Sequence, residues 1–255
     1  MTTPPKKKTP RENDEVRLNR FLAMLGVGAR RACDDIIKKG RVKVDNRVVR
    51  EPGARVVPGI NKVSLDNTPL ENVPSPMVLV LHKPVGYVTT VSDPSNRPTV
   101  IDLCKRYTRK RRLFPVGRLD INTSGVILLT NDGMLCYRLT HPQFEIPRVY
   151  TVKVRGLVDE RRLRRLRRLA VGTRRLTQPE RAVEYLRTSG KVSTLKITLR
   201  EGRNRQVRKM CESVGLRVVQ LKRVQFGPIT ARKLPLGSVR PLDNRELEKL
   251  VRLTK

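Results

Sequence analysis

The chain contains no tryptophan, and aromatic residues make up only 4% of its 255 positions. Its two histidines, His82 and His141, cannot complete a zinc site with cysteines as scattered as Cys33, Cys104, Cys136 and Cys211. The absence of any C-x-x-C spacing and of a disulfide-like density reads as reduced thiols in a cytoplasmic protein. Each histidine stands within a residue of a proline and reads as structural. No apolar run approaches the length that crosses a bilayer, and the Thr-, Pro- and Lys-rich Met1–Pro10 does not read as a signal peptide. Acids are also scarce, with 23 against 56 lysines and arginines and a formal net charge of +33. This excess runs along the whole chain, and self-repulsion of that size opposes compaction, so the expected partner is a polyanion.

Residues 1–14 read as a disordered basic arm. A helix is expected from about Asp14, with Leu18, Phe21, Leu22 and Leu25 on one stripe and Gly26 as its stop. A second helix carries Ala29, Ala32, Cys33, Ile36 and Ile37 inward and ends at Gly40. Short strands follow at Val42–Val44, Val48–Val49 and 62–65, with turns at Asp45-Asn46 and Asp66-Asn67. Arg17, Arg30, Arg31, Lys38 and Arg41 are candidate RNA contacts in this region, because few acids balance them. Residues 68–76 hold three prolines and read as a linker. The remainder, 77–255, reads as one α+β domain. Its strands and helices lack regular βαβ alternation, which favours a mixed, mainly antiparallel sheet.

Within it, Asp120 stands in a short polar loop between Gly117 and Gly125, directly before the apolar run Val126–Leu129. A tight loop leaving a rigid strand can fix a single acid as a nucleophile requires, although a lone Asp there is more often a turn residue. Asp132, before Gly133, fits a helix cap, and the strand between separates it too far from Asp120 for a glycosidase-like pair. Arg203, Arg205, Arg208 and Lys209 gather at the start of a helix, against its dipole. Phosphate oxygens or a buried carboxylate are the partners that explain such cations. The helix over 160–169 carries Leu163, Leu166 and Leu169 inward and six arginines mostly outward.

Arg17-Leu-Asn-Arg-Phe-Leu22 and Gly40-Arg-Val-Lys-Val-Asp45 resemble the small α-L type RNA-binding domain of a ribosomal small-subunit protein, over 15–67. Gly117-Arg-Leu-Asp120, Thr123-Ser-Gly125 and Leu128-Leu-Thr-Asn-Asp-Gly133 resemble the catalytic motif of the RsuA-like family of ribosomal RNA pseudouridine synthases. Lys83-Pro-Val-Gly86, Arg138-Leu-Thr-His-Pro142, Glu201-Gly-Arg-Asn-Arg-Gln-Val-Arg208 and Lys222-Arg-Val-Gln-Phe-Gly-Pro228 extend the likeness in order along the domain. The resemblance implies a cytoplasmic, monomeric enzyme that isomerises uridine in ribosomal RNA or a pre-ribosomal particle, preferentially the large-subunit RNA, without cofactor, metal or membrane. It implies Asp120 as nucleophile toward a flipped-out base, Tyr150 for stacking or proton transfer, Arg208 as the ion-pair partner of Asp120, and Arg118 near the target nucleotide. Ile121-Asn122, Arg148 and Ser238-Val239 depart from the family's frequent residues without removing a catalytic group. The competing readings are a small-subunit RNA target, a non-catalytic RNA-binding assembly factor and a DNA-compacting basic protein.

Overall fold

The computed structural model describes residues 15–70, 73–108, 111–171 and 182–254, so the expected basic arm lies outside the described residues. The chain divides into two compact units, Met1–Ser75 and Pro76–Lys255.

The first unit runs β1 (Val16–Arg17), α1 (Leu18–Met24), α2 (Arg30–Lys38), β2 (Val42–Val44), β3 (Arg47–Val49), β4 (Arg55–Val56), β5 (Val63–Leu65) and β6 (Thr68–Pro69). The expected first helix starts later than Asp14, because Val16–Arg17 pairs instead with Val56–Arg55. Leu18, Phe21 and Leu22 of α1 close over Cys33 and Ile37 of α2 and over Val42, Val56 and Val63. Asn19 donates to Asp34 at 2.7 Å and ties the two helices together. Both hairpin turns take positive φ at two successive residues, Asp45-Asn46 at 49° and 66° and Asp66-Asn67 at 49° and 66°. Asn and Asp tolerate that left-handed geometry, which matches the twist of the flanking strands. Thr68–Pro69, expected in the linker, is the edge strand of the sheet β3-β2-β5-β6. Its proline sits where an edge strand can spare an N–H.

The second unit comprises β7 (Val78–Lys83), α3 (Lys105–Thr108), β8 (Phe114–Pro115), β9 (Ser124–Thr130), α4 (Gly133–Thr140), β10 (Arg148–Arg155), α5 (Glu160–Val171), β11 (Val183–Ser189), β12 (Val192–Leu199), α6 (Gln206–Glu212), β13 (Arg217–Phe226), β14 (Ile229–Thr230), β15 (Val239–Pro241) and α7 (Asn244–Arg252). One sheet runs β11-β12-β10-β13-β9-β7-β15, with β8 on β9 and β14 on β13. Among the described residues, β13 with β9 is its only parallel pair of strands. The fold is therefore α+β and mainly antiparallel, as the irregular order of elements indicates. All residues of β9 are buried, so its side chains feed two cores. Ile127 and Leu129 join Leu79, Leu81 and the inward faces of α5 and α6, whereas Val126 and Leu128 join Val78, Val80, α4 and Leu250 of α7. Helices thus cover both faces, and β9 begins directly after the polar loop that carries Asp120.

Candidate active site

The loop before β9 is held from several sides. Leu119 is buried and its carbonyl accepts from the Thr89 hydroxyl at 2.7 Å. The Thr123 N–H donates to the Asp120 carbonyl at 3.0 Å, and the Gly86 N–H donates to the Ile121 carbonyl at 2.9 Å. Lys83, at the end of β7 and wholly buried, donates from Nζ to the carbonyls of Thr123 (2.8 Å), Pro84 (3.0 Å), Asp120 (3.1 Å) and Ile121 (3.4 Å). One ammonium thereby replaces its hydration shell with the backbone of the loop. Burial pushes Lys83 down to about 8, with Arg223 acting in the same direction and Asp120 in the opposite one. Behind the loop, Gly125 has φ 118°, and a Cβ at this position would collide with the Arg223 carbonyl. Only glycine lets β13 approach β9 this closely, in the parallel register Lys222↔Ser124 and Arg223↔Gly125.

The Asp120 side chain is 30% exposed and faces two guanidiniums. Arg208 Nε stands 3.9 Å from its Oδ2 and Arg205 Nη1 stands 4.0 Å from the same oxygen. These are ion pairs without hydrogen-bond geometry, so the charge is balanced while the carboxylate lone pairs stay unengaged. Arg208 is itself fixed: Nη2 donates to the Asn122 carbonyl at 2.9 Å, and its side chain is 12% exposed. Arg205 takes φ 51° at the cap of α6, a left-handed conformation that turns the chain toward the loop. Arg203 pairs with Glu201 at 3.1 Å and does not reach Asp120. Arg118 is exposed one residue from Leu119. The structure thus gathers Asp120, Arg205 and Arg208, and leaves Arg203 on a neighbouring pair.

Tyr150 lies on β10, 9% exposed, between Ile197 of β12 and Arg223 of β13. It belongs to the same core as Leu119, Leu199 and Val207. Beneath it sit two buried arginines that no carboxylate pairs among the described residues. Arg223 donates from Nε to the Val126 carbonyl at 2.8 Å and lies 4.9 Å from the Phe226 ring centre. Arg148 donates to the carbonyls of Ile146 and Leu139 and lies 5.5 Å from the same ring. Burial drives both guanidiniums downward from their ordinary range. Sequence reasoning quotes Lys83 and Arg223 only inside motifs and gives neither a role. The local signal was present only for Lys83, a cation ending the apolar run Val78–Leu81, whereas Arg223 lies among the polar residues Gln220, Lys222 and Gln225.

Asp132 accepts from the N–H groups of Met134 and Leu135 and caps α4, as its position before Gly133 suggests. His141 caps the turn Pro142–Phe144, and His82 meets the Leu234 carbonyl at 2.7 Å, so both histidines have structural partners. Burial raises the Cys104 thiol to about 11 and the Cys211 thiol to about 12, which removes them as nucleophiles. In the first unit Arg17, Arg30, Arg31 and Lys38 are exposed, whereas Arg41 pairs with Asp66.

The family described as RNA pseudouridylate synthase matches residues 77–213, and the S4 domain matches residues 16–59. An Aquifex aeolicus protein named "Uncharacterized RNA pseudouridine synthase" is 38% identical over 92% of this chain and 94% of its own. The Bacillus subtilis "Ribosomal large subunit pseudouridine synthase B" is 37% identical over 92% of this chain and 95% of its own. A solved structure described as a "Crystal structure of pseudouridylate synthase" superposes with a TM-score of 0.60 at 26% identity, covering 92% of this chain and 99% of the other. The match over residues 77–213, with relatives 37% and 38% identical over 92% of the chain, places it in the RNA pseudouridylate synthase family, as an enzyme that isomerises uridine to pseudouridine.

Proposed function

We propose that this enzyme modifies a specific uridine of large-subunit ribosomal RNA, with Asp120 as its nucleophile and the target base turned out of its stack. The relative named for the ribosomal large subunit supports the substrate. The observation that carries the mechanism is the Asp120 carboxylate, part-exposed on an immobilised backbone and ion-paired at 3.9 and 4.0 Å but not hydrogen-bonded. A nucleophile needs this combination of fixed position, balanced charge and free lone pairs.

The isomerisation breaks the bond from sugar carbon 1 to ring nitrogen 1. The uracil turns, and ring carbon 5 joins the same sugar carbon. The carbon-5 proton leaves and a proton is taken up at nitrogen 1, so no electron or group is gained. No cofactor is required. Attack by Asp120 on the sugar carbon or on the ring uses the same oxygen in the same place. Arg208 balances that oxygen and Arg205 closes its open side. Tyr150 supplies a flat surface against the base, offsetting the few kcal/mol of unstacking, and a hydroxyl for proton transfer. Arg118 fills the space the base leaves, while Arg203, Arg17, Arg30, Arg31, Lys38 and Arg41 hold phosphates. On this reading the protein works in the cytoplasm as a monomer, on ribosomal RNA or a pre-ribosomal particle and away from membranes. Among the described residues no helix is long and apolar enough to cross a membrane.

The test is Asp120→Asn, with pseudouridines mapped across both ribosomal RNAs. The expected outcome is loss of one large-subunit pseudouridine with RNA affinity unchanged, because phosphate contacts lie elsewhere. Retained modification would remove Asp120 from the mechanism, and loss confined to small-subunit RNA would overturn the substrate.

A further inference from the structure

Helix α5 carries six arginines, and the structure sorts them into two sets. Arg162 pairs with Asp159 at 2.6 Å and donates to the Val214 carbonyl at 3.0 Å. Arg167 pairs with Glu160 at 3.0 Å and donates to the Val183 carbonyl, and Arg164 stands 3.9 Å from the same Glu160. These three use the acids near the start of the helix. Arg161, Arg165 and Arg168 are exposed; Arg165 and Arg168 form no ion pair among the described residues, and Arg161 acts on Asp159 only through its charge, without an ion-pair contact. They stand at i, i+4 and i+7, which sets them in one stripe about 10 Å long. Like charges at these spacings cost an isolated helix a few tenths of a kcal/mol per pair. A solvated face needs no such alignment, and the helix would be more stable without it.

The position of the stripe gives it a use. Leu163, Leu166 and Ala170 of α5 enter the same core as Val207, Met210 and Cys211 of α6 and as Tyr150 and Leu119. The bond from Arg162 to Val214 joins α5 to the end of α6, whose other end presents Arg205 and Arg208 to Asp120. Helices α5 and α6 therefore cover the face of the sheet that bears the Asp120 loop, while α4 and α7 cover the opposite one.

We propose that Arg161, Arg165 and Arg168 form a phosphate-binding rail that grips the RNA backbone at a distance from the target uridine. Its ligand is the phosphodiester backbone of a folded RNA, recognised by charge and spacing and not by base. The proposal rests on the reading of ribosomal RNA as substrate, and it gives a use to three cations that the pocket around Asp120 does not employ.

Salt titration of binding tests it, using the full chain and large-subunit ribosomal RNA transcribed in vitro. Changing Arg161, Arg165 and Arg168 together to Gln should lower the slope of log affinity against log salt by about 0.7–0.9 per lost contact, so by about 2–3 in all. The matched control replaces Arg245, Lys249 and Arg252, which repeat the same spacing on α7 with Glu246 and Glu248 between them, on the opposite face. That variant should leave the slope at the wild-type value. The KM for pseudouridine formation should rise in the α5 variant with kcat unchanged, and the triple change to Lys should restore wild-type behaviour. Arg165→Gln alone should lower the slope by about 0.7–0.9, which keeps the test sharp should the triple variant fold poorly. Failure of the Asp120 reading would show as product from Asp120→Asn and leave these slopes intact. A slope unchanged in the α5 variants, as an acidic protein partner would give, or lowered equally by the α7 control, would overturn the rail.

Discussion

At the scale of single residues, Lys83 couples stability and activity in opposite directions. Its ammonium is wholly buried and held at about 8 by desolvation, against 10.5 for the free side chain. Between those values the unfolded chain binds a proton that the folded chain has released, so stability rises with pH across the window. Below pH 8 the buried charge costs the full difference, about 3 kcal/mol. The wild-type Tm should therefore climb between pH 8 and 10, and that climb should be missing in Lys83→Met. Turnover should fall over the same rise, because the neutral amine has fewer protons for the carbonyls that fix the Asp120 loop. An activity profile flat through pH 8 would show that the loop keeps its shape without the charge. Arg208 makes a separate case, since it touches both Asp120 and the Asn122 carbonyl. Arg208→Ala should cost about 100-fold in kcat, the order seen when one preorganised electrostatic partner is removed. Arg203→Ala, which removes a side chain paired to Glu201, should leave kcat near wild type, and single-turnover kinetics would separate the two.

At the scale of elements, the site depends on the junction of β9 and β13. A methyl group at Gly125 would meet the Arg223 backbone, and the residue also holds φ 118°. Gly125→Ala should thus cost about 3 kcal/mol or more by overpacking and strain together, read as a fall in the denaturant midpoint. A variant as stable as wild type would mean that the strands separate without penalty. This junction also marks where sequence reasoning stops. The apolar run Val126–Leu129, which falls within β9, was legible because continuous apolar side chains report burial directly. Residues 102–108 are helical only as a single 3-10 turn, Asp102–Cys104, and the short α3, too brief to show a full apolar stripe. The edge strand Val239–Pro241 escaped because a proline and a short apolar stretch carry little periodicity. The pairing of Arg223 with Gly125 joins positions nearly a hundred residues apart, and no local pattern encodes it. Asp120 was legible as an acid between glycines. What surrounds it was not, because Lys83 reaches the loop through backbone carbonyls that any residue would supply.

At the scale of the whole molecule, a net charge of +33 sets two responses to salt that oppose each other. Added salt screens self-repulsion within the free protein, so its Tm should rise between low and moderate ionic strength. The same salt restores the counterion atmosphere that the protein displaces from RNA, so affinity should fall steeply. On the proposed reading the first unit contributes to the second response through the exposed Arg17, Arg30, Arg31 and Lys38, whereas Arg41 is already matched by Asp66. Replacing those four unmatched cations by Gln should reduce the salt slope by about 3, at 0.7–0.9 per contact. The Arg41→Gln change should reduce it by less than one contact, because the free protein already balances that charge. Phosphate contacts remote from the chemistry lower KM without entering the rate of the bound complex. The fourfold variant should accordingly keep its kcat on saturating RNA and lose kcat/KM by the measured loss in affinity. If kcat fell in step with affinity, the first unit would be shaping the bound uridine and not merely retaining the RNA. If the salt slope stayed at the wild-type value, Arg17 and the cations of α2 would be a solvated face and the charge excess would have to act elsewhere on the chain.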